Sequence, residues 1–153
     1  MATIIDGIDG LKAKVGEHLG YSDWVEITQD QVNQFADATG DHQWIHVDVE
    51  RATKESPFGG PIGHGYLTLS LLIPMWTQVL TVTDAGMAVN YGLNKVRFPA
   101  PVPVGSKIRL TATLKDIEEI KGGVQVTVGA VVERDGGDKP VCIAEPVFRF
   151  LHG

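Results

Sequence analysis

The segment Tyr66–Leu80 is the most apolar stretch of the chain, and it constrains the possible folds more than any other segment. Apolar side chains fall on nearly every face of a helix drawn through it: Leu67, Leu69, Leu71, Leu72, Ile73, Met75, Trp76 and Val79. A helix of this kind is stable only inside a protein, so a buried central helix is predicted from Gly65 to about Leu80. Pro74 should kink this helix, because proline has no N–H and its ring crowds the preceding turn.

Four long segments with the composition of β-strands follow the helix: Met87–Phe98, Lys107–Ile120, Val124–Arg134 and Val141–Leu151. Two glycine-containing segments between them, Lys121–Gly123 and Asp135–Asp138, are predicted to be hairpin turns. One central apolar helix followed by an antiparallel meander indicates an α+β fold in which the sheet wraps the helix. Pro146 predicts an edge, a bulge or a break in the last strand, since proline cannot donate to a strand ladder.

Helix signals also mark the first third of the chain. Thr28-Gln29-Asp30-Gln31 is a capping-box pattern, and Gly40 should end the helix that this pattern starts. Asp48 is predicted to cap a second, short helix. Before these, Leu11–Leu19 has the pattern of a short, weak helix, and Tyr21–Ile27 alternates like a strand.

Length, charge and cysteine content limit the class of protein. The 153 residues are predicted to form a single domain, residues 1–153. The net charge of -6, with no basic stripe, argues against a nucleic-acid partner. The N-terminus lacks the features of a signal peptide and Tyr66–Leu80 is too short to span a bilayer, so a cytoplasmic location without membrane contact is expected. The single cysteine, Cys142, is predicted to be a buried, inert thiol.

A carboxylate and an imidazole five residues apart, Asp41 and His46, follow the glycine that ends the first long helix. Held in one loop, they can grip a single water, with one group taking its proton and the other orienting it or protonating the product. This pair is the predicted catalytic centre. Asp41 could instead be a turn aspartate that only bonds backbone N–H groups. A metal site built on His42, His46, Asp41 and Asp48 is a further alternative, but Gly40 should stop the helix that would align the histidines.

The glycine-rich segment Gly59–Gly65 leads directly into the apolar helix. Free backbone N–H groups at a helix start attract negative charge, so the Gly65 N–H is predicted to stabilise an oxyanion or enolate on a substrate carbonyl. His64 is predicted to brace this loop or to pack at the helix start, close to the site. The segment does not predict nucleotide hydrolysis, because no Gly-Lys-Ser/Thr follows the glycines.

These residues resemble those of the MaoC-like, R-specific enoyl-CoA hydratases (hydratase 2), and within that family the nodulation-protein-N-like members. Asp41, His46 and Asp48 match the family signature, in which Asn and Pro stand where this chain has Gln43 and Trp44. Two further segments share the likeness, Ile62–Thr68 and Asn94–Val102. The resemblance covers most of the chain from about residue 21 onward.

The resemblance implies a hotdog fold, in which a long central helix lies in a curved antiparallel sheet and two copies pair edge to edge into a homodimer. It also implies the reversible hydration of a trans-2-enoyl-CoA to an (R)-3-hydroxyacyl-CoA, with no metal or redox cofactor. The Asp41/His46 pair would then hold the water and Gly65 would polarise the thioester carbonyl. Gly63, His64 and Trp44 would lie beside the substrate.

An anionic coenzyme A thioester would have to meet a local positive patch on a protein of net negative charge. Lys95 with Arg97, and Lys107 with Arg109, could each supply such a patch from a strand face. Solvated charges on an outer face are the alternative for each pair. Lys95 and Arg97 are the predicted substrate-binding pair.

Three other functions stay open at this point. Hotdog proteins include acyl-CoA thioesterases, and a subunit of an acyl-carrier-protein dehydratase would share the same chemistry. A non-catalytic acyl-thioester binder is the third alternative, because Gln43 and Trp44 replace the usual Asn and Pro.

Overall fold

The computed structural model describes residues 2–153, which form eight strands, six α-helices and a 3₁₀ turn. The strands are β1 (Thr3–Ile5), β2 (His18–Tyr21), β3 (Val25–Glu26), β4 (Leu80–Val82), β5 (Ala85–Arg97), β6 (Lys107–Ile120), β7 (Gly123–Arg134) and β8 (Cys142–His152). The helices are α1 (Gly7–Leu11), α2 (Gln29–Thr39), α3 (Trp44–Val47), α4 (Val49–Glu55), α5 (Gly65–Ser70) and α6 (Leu72–Val79), and the 3₁₀ turn is Lys12–Lys14.

The main sheet has six strands in the order β2-β6-β7-β8-β5, with β3 also paired to β6. β6, β7 and β8 form the predicted antiparallel meander through the two predicted turns, and β6 has its predicted bounds. β5 lies beside β8 and not beside β6, so the meander prediction was wrong for this strand. The physical reason is the connection Phe98–Ser106, where three prolines hold the backbone extended and prevent a tight hairpin back to β5. The parallel pair β1–β4 was not predicted.

The core lies between the inner face of this sheet and α6. Side chains alternate along the strands, so that Leu110, Ala112 and Leu114 of β6 and Val124, Val126 and Val128 of β7 are buried. Leu72, Met75, Trp76 and Val79 of α6 are buried against them, and the ring of Trp76 stacks on that of Phe148 at 5.2 Å. This arrangement confirms the predicted α+β fold with a sheet wrapped around a helix.

The apolar helix is divided into α5 and α6 at Leu71, one turn before Pro74. The ring of a proline clashes with the carbonyl four residues earlier, here that of Ser70, so the break lies where the predicted kink belongs. The sequence predicts a helix buried on all sides, but the sheet covers only one face of it. Tyr66 is 71% exposed and Ile73 is 40% exposed. In residues 2–153, no helix has the length and hydrophobicity needed to cross a membrane.

The N-terminal helix signals are mostly confirmed. The Thr28 hydroxyl accepts a hydrogen bond from the Gln31 N–H at the start of α2, and the Asp48 carboxylate accepts one from the Arg51 N–H at the start of α4. The helix predicted over Leu11–Leu19 was wrong, because helical structure ends at Lys14 and β2 begins at His18. Gly16 separates them with a positive φ of 86°, which no helix accommodates. Of the strand predicted over Tyr21–Ile27, only the ends are paired, in β2 and β3.

Two side chains of β8 behave as predicted. Beside Pro146 the pairing with β5 changes register between Leu93 and Val96, which confirms the expected bulge. Cys142 is fully buried, and burial raises the pKa of its thiol to about 11. Because only the thiolate is nucleophilic, this cysteine is inert in the native protein at neutral pH.

Two adjacent glycines in the hairpin between β6 and β7, Gly122 and Gly123, allow the close packing of this hairpin on β8 to be tested. A Cβ on Gly123 would lie 2.0 Å from the Phe150 carbonyl oxygen, whereas Gly122 has a φ of +86° and nothing within 4 Å of its Cβ position. Gly123→Ala is therefore expected to lower the free energy of unfolding by about 3 kcal/mol, since the clash is with backbone. Gly122→Ala, the matched control, should cost about 1 kcal/mol for its left-handed conformation alone. Urea denaturation measures both, and equal losses would contradict the predicted clash.

Candidate active site

A left-handed glycine places Asp41 at the end of α2. Gly40 has a φ of +84°, and its N–H donates to the Ala36 carbonyl at 2.8 Å to close the last turn. This conformation favours glycine and turns the chain out of the helix, so that Asp41 begins the short connection to α3. Within this connection the Gln43 N–H lies 3.4 Å from an oxygen of the Asp41 carboxylate. The Asp41 side chain is exposed and free to meet solvent or a ligand.

His46 lies in the last turn of α3 with 9% of its surface exposed. Its Nδ1 is 2.7 Å from the Ile62 carbonyl oxygen, which can only accept, so Nδ1 carries the hydrogen. Nε2 is then left with a free lone pair in the neutral ring. Burial lowers the pKa of His46, although the hydrogen bond to Ile62 opposes this effect. His46 is therefore suited to accept a proton through Nε2.

The structure brings Asp41 and His46 together, as the sequence predicted. A carboxylate oxygen of Asp41, a ring nitrogen of His46 and a ring nitrogen of His64 all lie within 4.8 Å of one another. A single water can span such a separation, because each of its two hydrogen bonds measures about 2.8 Å. The pair can thus hold one water between a carboxylate and an imidazole.

A mostly apolar pocket with a volume of about 380 Å³ opens beside His46. One wall consists of the predicted residues Gly63 and Gly65, together with Ile62 and Thr68. The opposite wall is Phe98–Val102, and Phe58 and Val141 complete the lining. This second wall was not predicted from the sequence as part of the site. The signal that could have indicated it is the run Pro99-Ala100-Pro101-Val102-Pro103, a rigid apolar loop with no backbone donor at three positions.

Gly65 is the first residue of α5 and lines this pocket. Among residues 2–153 its N–H has no hydrogen-bond acceptor, as is usual at the first position of a helix. A Cβ on Gly65 would lie 3.2 Å from the ring of Phe98, so glycine allows the opposite wall to approach closely. The free N–H is a potential donor to a carbonyl oxygen bound in the pocket.

His64 does not line the pocket but lies behind it, with only 2% of its surface exposed. Its ring stacks on that of His46, with centroids 3.9 Å apart and planes inclined by 28°. Its Nε2 lies 3.0 Å from the Asp41 carbonyl oxygen and donates to it. The prediction that His64 braces the loop agrees with these contacts, and its predicted place beside the substrate stays a prediction.

The remaining predicted residues lie away from this pocket. Trp44 is half-buried beneath the guanidinium of Arg51, which lies 4.2 Å from its ring centroid. Lys95 and Arg97 line a separate groove of about 580 Å³ on the outer face of the sheet. The other polar side chains of that groove include Lys115, whose ammonium is 2.5 Å from a carboxylate oxygen of Glu145. The other basic pair is Lys107 with Arg109. The Arg109 guanidinium binds Glu133 and stacks on Tyr21 and Trp24, so it does not reach the pocket.

The histidines do not favour a shared metal ion. His42 is bonded to Asp37 at 3.0 Å and does not join the cluster, so the predicted alternative with His42 as a ligand was wrong. His64 takes its place, next to Asp41 and His46. Two imidazoles that bind one ion must point their lone pairs at a common centre. Rings stacked at 3.9 Å point them side by side instead.

The pKa values of His46 and His42 are expected to depart from the ordinary value of 6.5 in opposite directions. Burial lowers the pKa of His46, and the hydrogen bond to Asp37 raises the pKa of His42. In an NMR titration of the ring C–H signals, His46 should therefore become protonated only at a lower pH than His42. His46→Asn assigns the signal by deleting it. Titration in the reverse order would contradict the burial of His46 against Ile62 and His64.

The sequence is similar to one protein family and to several named proteins. Residues 11–135 match the family model of the MaoC like domain. The 3-hydroxyacyl-thioester dehydratase Z of Mycobacterium tuberculosis is 54% identical over 147 residues, or 95% of this chain and 97% of the relative. Nodulation protein N of Rhizobium leguminosarum bv. viciae is 42% identical over 134 residues, or 86% of this chain and 83% of the relative.

Solved structures share the fold. A monoamine oxidase regulatory protein from Archaeoglobus superposes with a TM-score of 0.79 at 25% identity, covering 100% of this chain and 99% of the other. An (R)-hydratase from A. caviae superposes with a TM-score of 0.73 at 23% identity, covering 89% and 96% of the two chains. These likenesses confirm the predicted hotdog fold.

Proposed function

The chain belongs to the MaoC-like dehydratase family, and from this premise we propose that it catalyses the reversible hydration of a trans-2-enoyl-CoA to an (R)-3-hydroxyacyl-CoA. The membership itself makes it a hydratase or dehydratase of acyl thioesters. The observation that carries the proposal is the convergence of Asp41 and His46 to within 4.8 Å beside an apolar pocket. The name of the 54% identical relative, a 3-hydroxyacyl-thioester dehydratase, supports the same reaction in reverse.

In the proposed mechanism a water bridges the Asp41 carboxylate and Nε2 of His46. His46 takes a proton from this water as its oxygen bonds to carbon 3 of the enoyl group. The carboxylate orients the water by accepting its other hydrogen. The electrons of the double bond move onto the thioester carbonyl, and the proton then returns from the Asp41/His46 pair to carbon 2. The R configuration is carried over from the family, because the configuration depends on which face of the alkene meets the pair.

The Gly65 N–H is the proposed donor to the thioester carbonyl. The oxygen of this carbonyl gains negative charge when water adds at carbon 3, and a preorganised donor stabilises that charge. α5 has only six residues, so the proposed donor is this single unpaired N–H in the pocket wall and not the helix as a whole. Gly63 lies beside it, held by its own N–H, which donates to the Val102 carbonyl at 2.8 Å.

The acyl group is proposed to lie in the pocket between α5 and Phe98–Val102, where most of the lining is apolar. Lys95 and Arg97 lie outside this pocket, and we assign them no part in the chemistry. Their place on the sheet face suits at most the anionic end of the carrier that holds the acyl group. Trp44 lies beneath Arg51 and outside this pocket, so we assign it no contact with the acyl group.

The test is an assay of the purified protein with trans-2-enoyl-CoAs of graded chain length. Loss of the conjugated enoyl absorbance should report hydration. Chiral analysis should identify the product as the (R)-3-hydroxyacyl thioester. A thiol reagent in the same assay measures free coenzyme A, and its release would identify a thioesterase instead. Binding without turnover would indicate a non-catalytic protein. The same acyl group should also be tested on acyl-carrier protein. Much faster turnover of this substrate than of the coenzyme A thioester would identify a dehydratase of carrier-bound acyl chains.

We also propose that two copies pair through β5. This strand has thirteen residues, lies at the end of the sheet and is hydrogen-bonded along one side only within residues 2–153. It exposes Met87, Tyr91 and Leu93. A long apolar edge is a site for pairing with another strand. Light scattering should give twice the chain mass of 16.5 kDa, and a monomer would contradict the pairing.

A further inference from the structure

We propose that His64 is a positioning residue that aligns both members of the catalytic pair. The face of its ring stacks on His46, and its Nε2–H holds the backbone of Asp41. This inference rests on the proposed function. Its ring stacks on His46 at 3.9 Å, and its Nε2–H donates to the Asp41 carbonyl at 3.0 Å. His64 is thus in contact with both residues, while it is buried and does not line the pocket.

Packing alone does not explain a histidine at this position. Because Nε2 donates to a carbonyl, the other ring nitrogen, Nδ1, carries only a lone pair, and it is buried without a hydrogen-bond partner. A buried polar atom without a partner is unfavourable. A phenylalanine would fill nearly the same space, also against Phe35 at 4.8 Å, without this penalty. What phenylalanine cannot supply is the N–H that holds the Asp41 backbone.

The two residues that precede His64 are themselves fixed by hydrogen bonds to two other segments. The Ile62 N–H donates to the Ile45 carbonyl at 3.1 Å, and the Gly63 N–H donates to Val102 at 2.8 Å. The Ile62 carbonyl in turn sets the hydrogen of His46 on Nδ1. Asp41 lies in an exposed connection between α2 and α3. The hydrogen bond from the fixed His64 ring therefore restrains the Asp41 backbone.

Two substitutions separate the two contacts of His64. His64→Phe keeps a flat ring stacked on His46 and removes the donor to Asp41. His64→Gln keeps an amide N–H that reaches the place of Nε2 and removes the stacked ring. A displacement of about 1 Å can cost on the order of 10²-fold in rate. We expect kcat to fall about tenfold to 10²-fold in each variant, with KM within about twofold, and to fall further in His64→Ala.

The matched control is Phe35→Leu, which alters packing against the same ring but removes neither its stacking on His46 nor its hydrogen bond to Asp41. It should keep the wild-type kcat even if it lowers the melting temperature as much as His64→Phe does. The proposal is overturned if both His64→Phe and His64→Gln keep the kcat of this control. It is also overturned if KM rises while kcat is unchanged, because His64 would then act on substrate binding.

A second measurement needs no substrate, so it separates this inference from the proposed function. The rate at which the His46 Nδ1–H exchanges with solvent reports how firmly the ring is held against the Ile62 carbonyl. We expect slow exchange in the wild type and in His64→Phe, and faster exchange in His64→Gln, where the stacked ring is lost. Unchanged exchange in His64→Gln would contradict alignment of His46 by His64, whether or not the protein hydrates enoyl thioesters.

Discussion

Asp41→Asn and His46→Asn are each expected to lower kcat for enoyl-thioester hydration by about 10³-fold or more, with the fold retained. Asn at position 41 keeps the shape of the side chain and removes its charge. Asn at position 46 can still donate to the Ile62 carbonyl from the place of Nδ1, but it has no counterpart of Nε2. Rates with a short enoyl-CoA, together with circular dichroism, measure loss of activity and retention of fold separately.

Asp48→Asn is the control for these two variants. Asp48 also belongs to the signature shared with the family, but its carboxylate caps α4 and is not part of the Asp41 cluster. Asparagine caps a helix as well as aspartate does, so nearly full activity is expected. The double variant of Asp41 and His46 should be scarcely slower than either single one, because the two residues act on one water. Near-wild-type hydration by either single variant would refute the assignment of the pair.

Gly65→Pro is expected to lower kcat by about 10²-fold to 10³-fold, because it removes the proposed donor to the thioester carbonyl. Proline is well tolerated at the first position of a helix, where no intrahelical hydrogen bond is lost. The residue before a proline must be extended, and His64 already is, with φ −65° and ψ 138°. The backbone can therefore accept the change.

Gly65→Ala separates the donor from the space around it. Alanine keeps the N–H, and its Cβ would lie 3.2 Å from the Phe98 ring, which must move by a few tenths of an ångström. This variant should retain most of kcat and show its effect mainly in KM. If alanine reduces kcat as much as proline does, crowding against Phe98 accounts for the loss and the donor role is wrong.

Local sequence signals predicted the parts of the molecule that depend on neighbouring residues. The Thr28 cap, the left-handed Gly40 and the Asp48 cap define α2 and α4 by interactions within four residues. These three signals place Asp41 and His46 between α2 and α4, so the proposed catalytic pair could be named before the fold was known. The strand β6 was equally clear, because buried residues alternate with more exposed ones over its first eight residues.

Features that depend on distant residues could not be predicted in this way. Nothing in the composition of β5 distinguishes pairing with β8 from pairing with β6, since both partners offer the same backbone groups. The stacking of His64 on His46 joins two segments that also meet through the hydrogen bonds of Ile62 to Ile45 and of His64 to Asp41. The far wall of the pocket, Phe98–Val102, reaches the site because the proline-rich connection folds back across α5.

The two walls of the pocket come from separate segments of the chain, and only one of them carries groups proposed to react. The groups proposed to react with water and carbonyl lie between α2 and the start of α5, whereas Phe98–Val102 contributes only apolar surface facing them. Side-chain size in this loop can therefore be altered without moving any reacting atom. Substitutions in this loop are therefore expected to change the size of the pocket while the proposed chemistry stays the same.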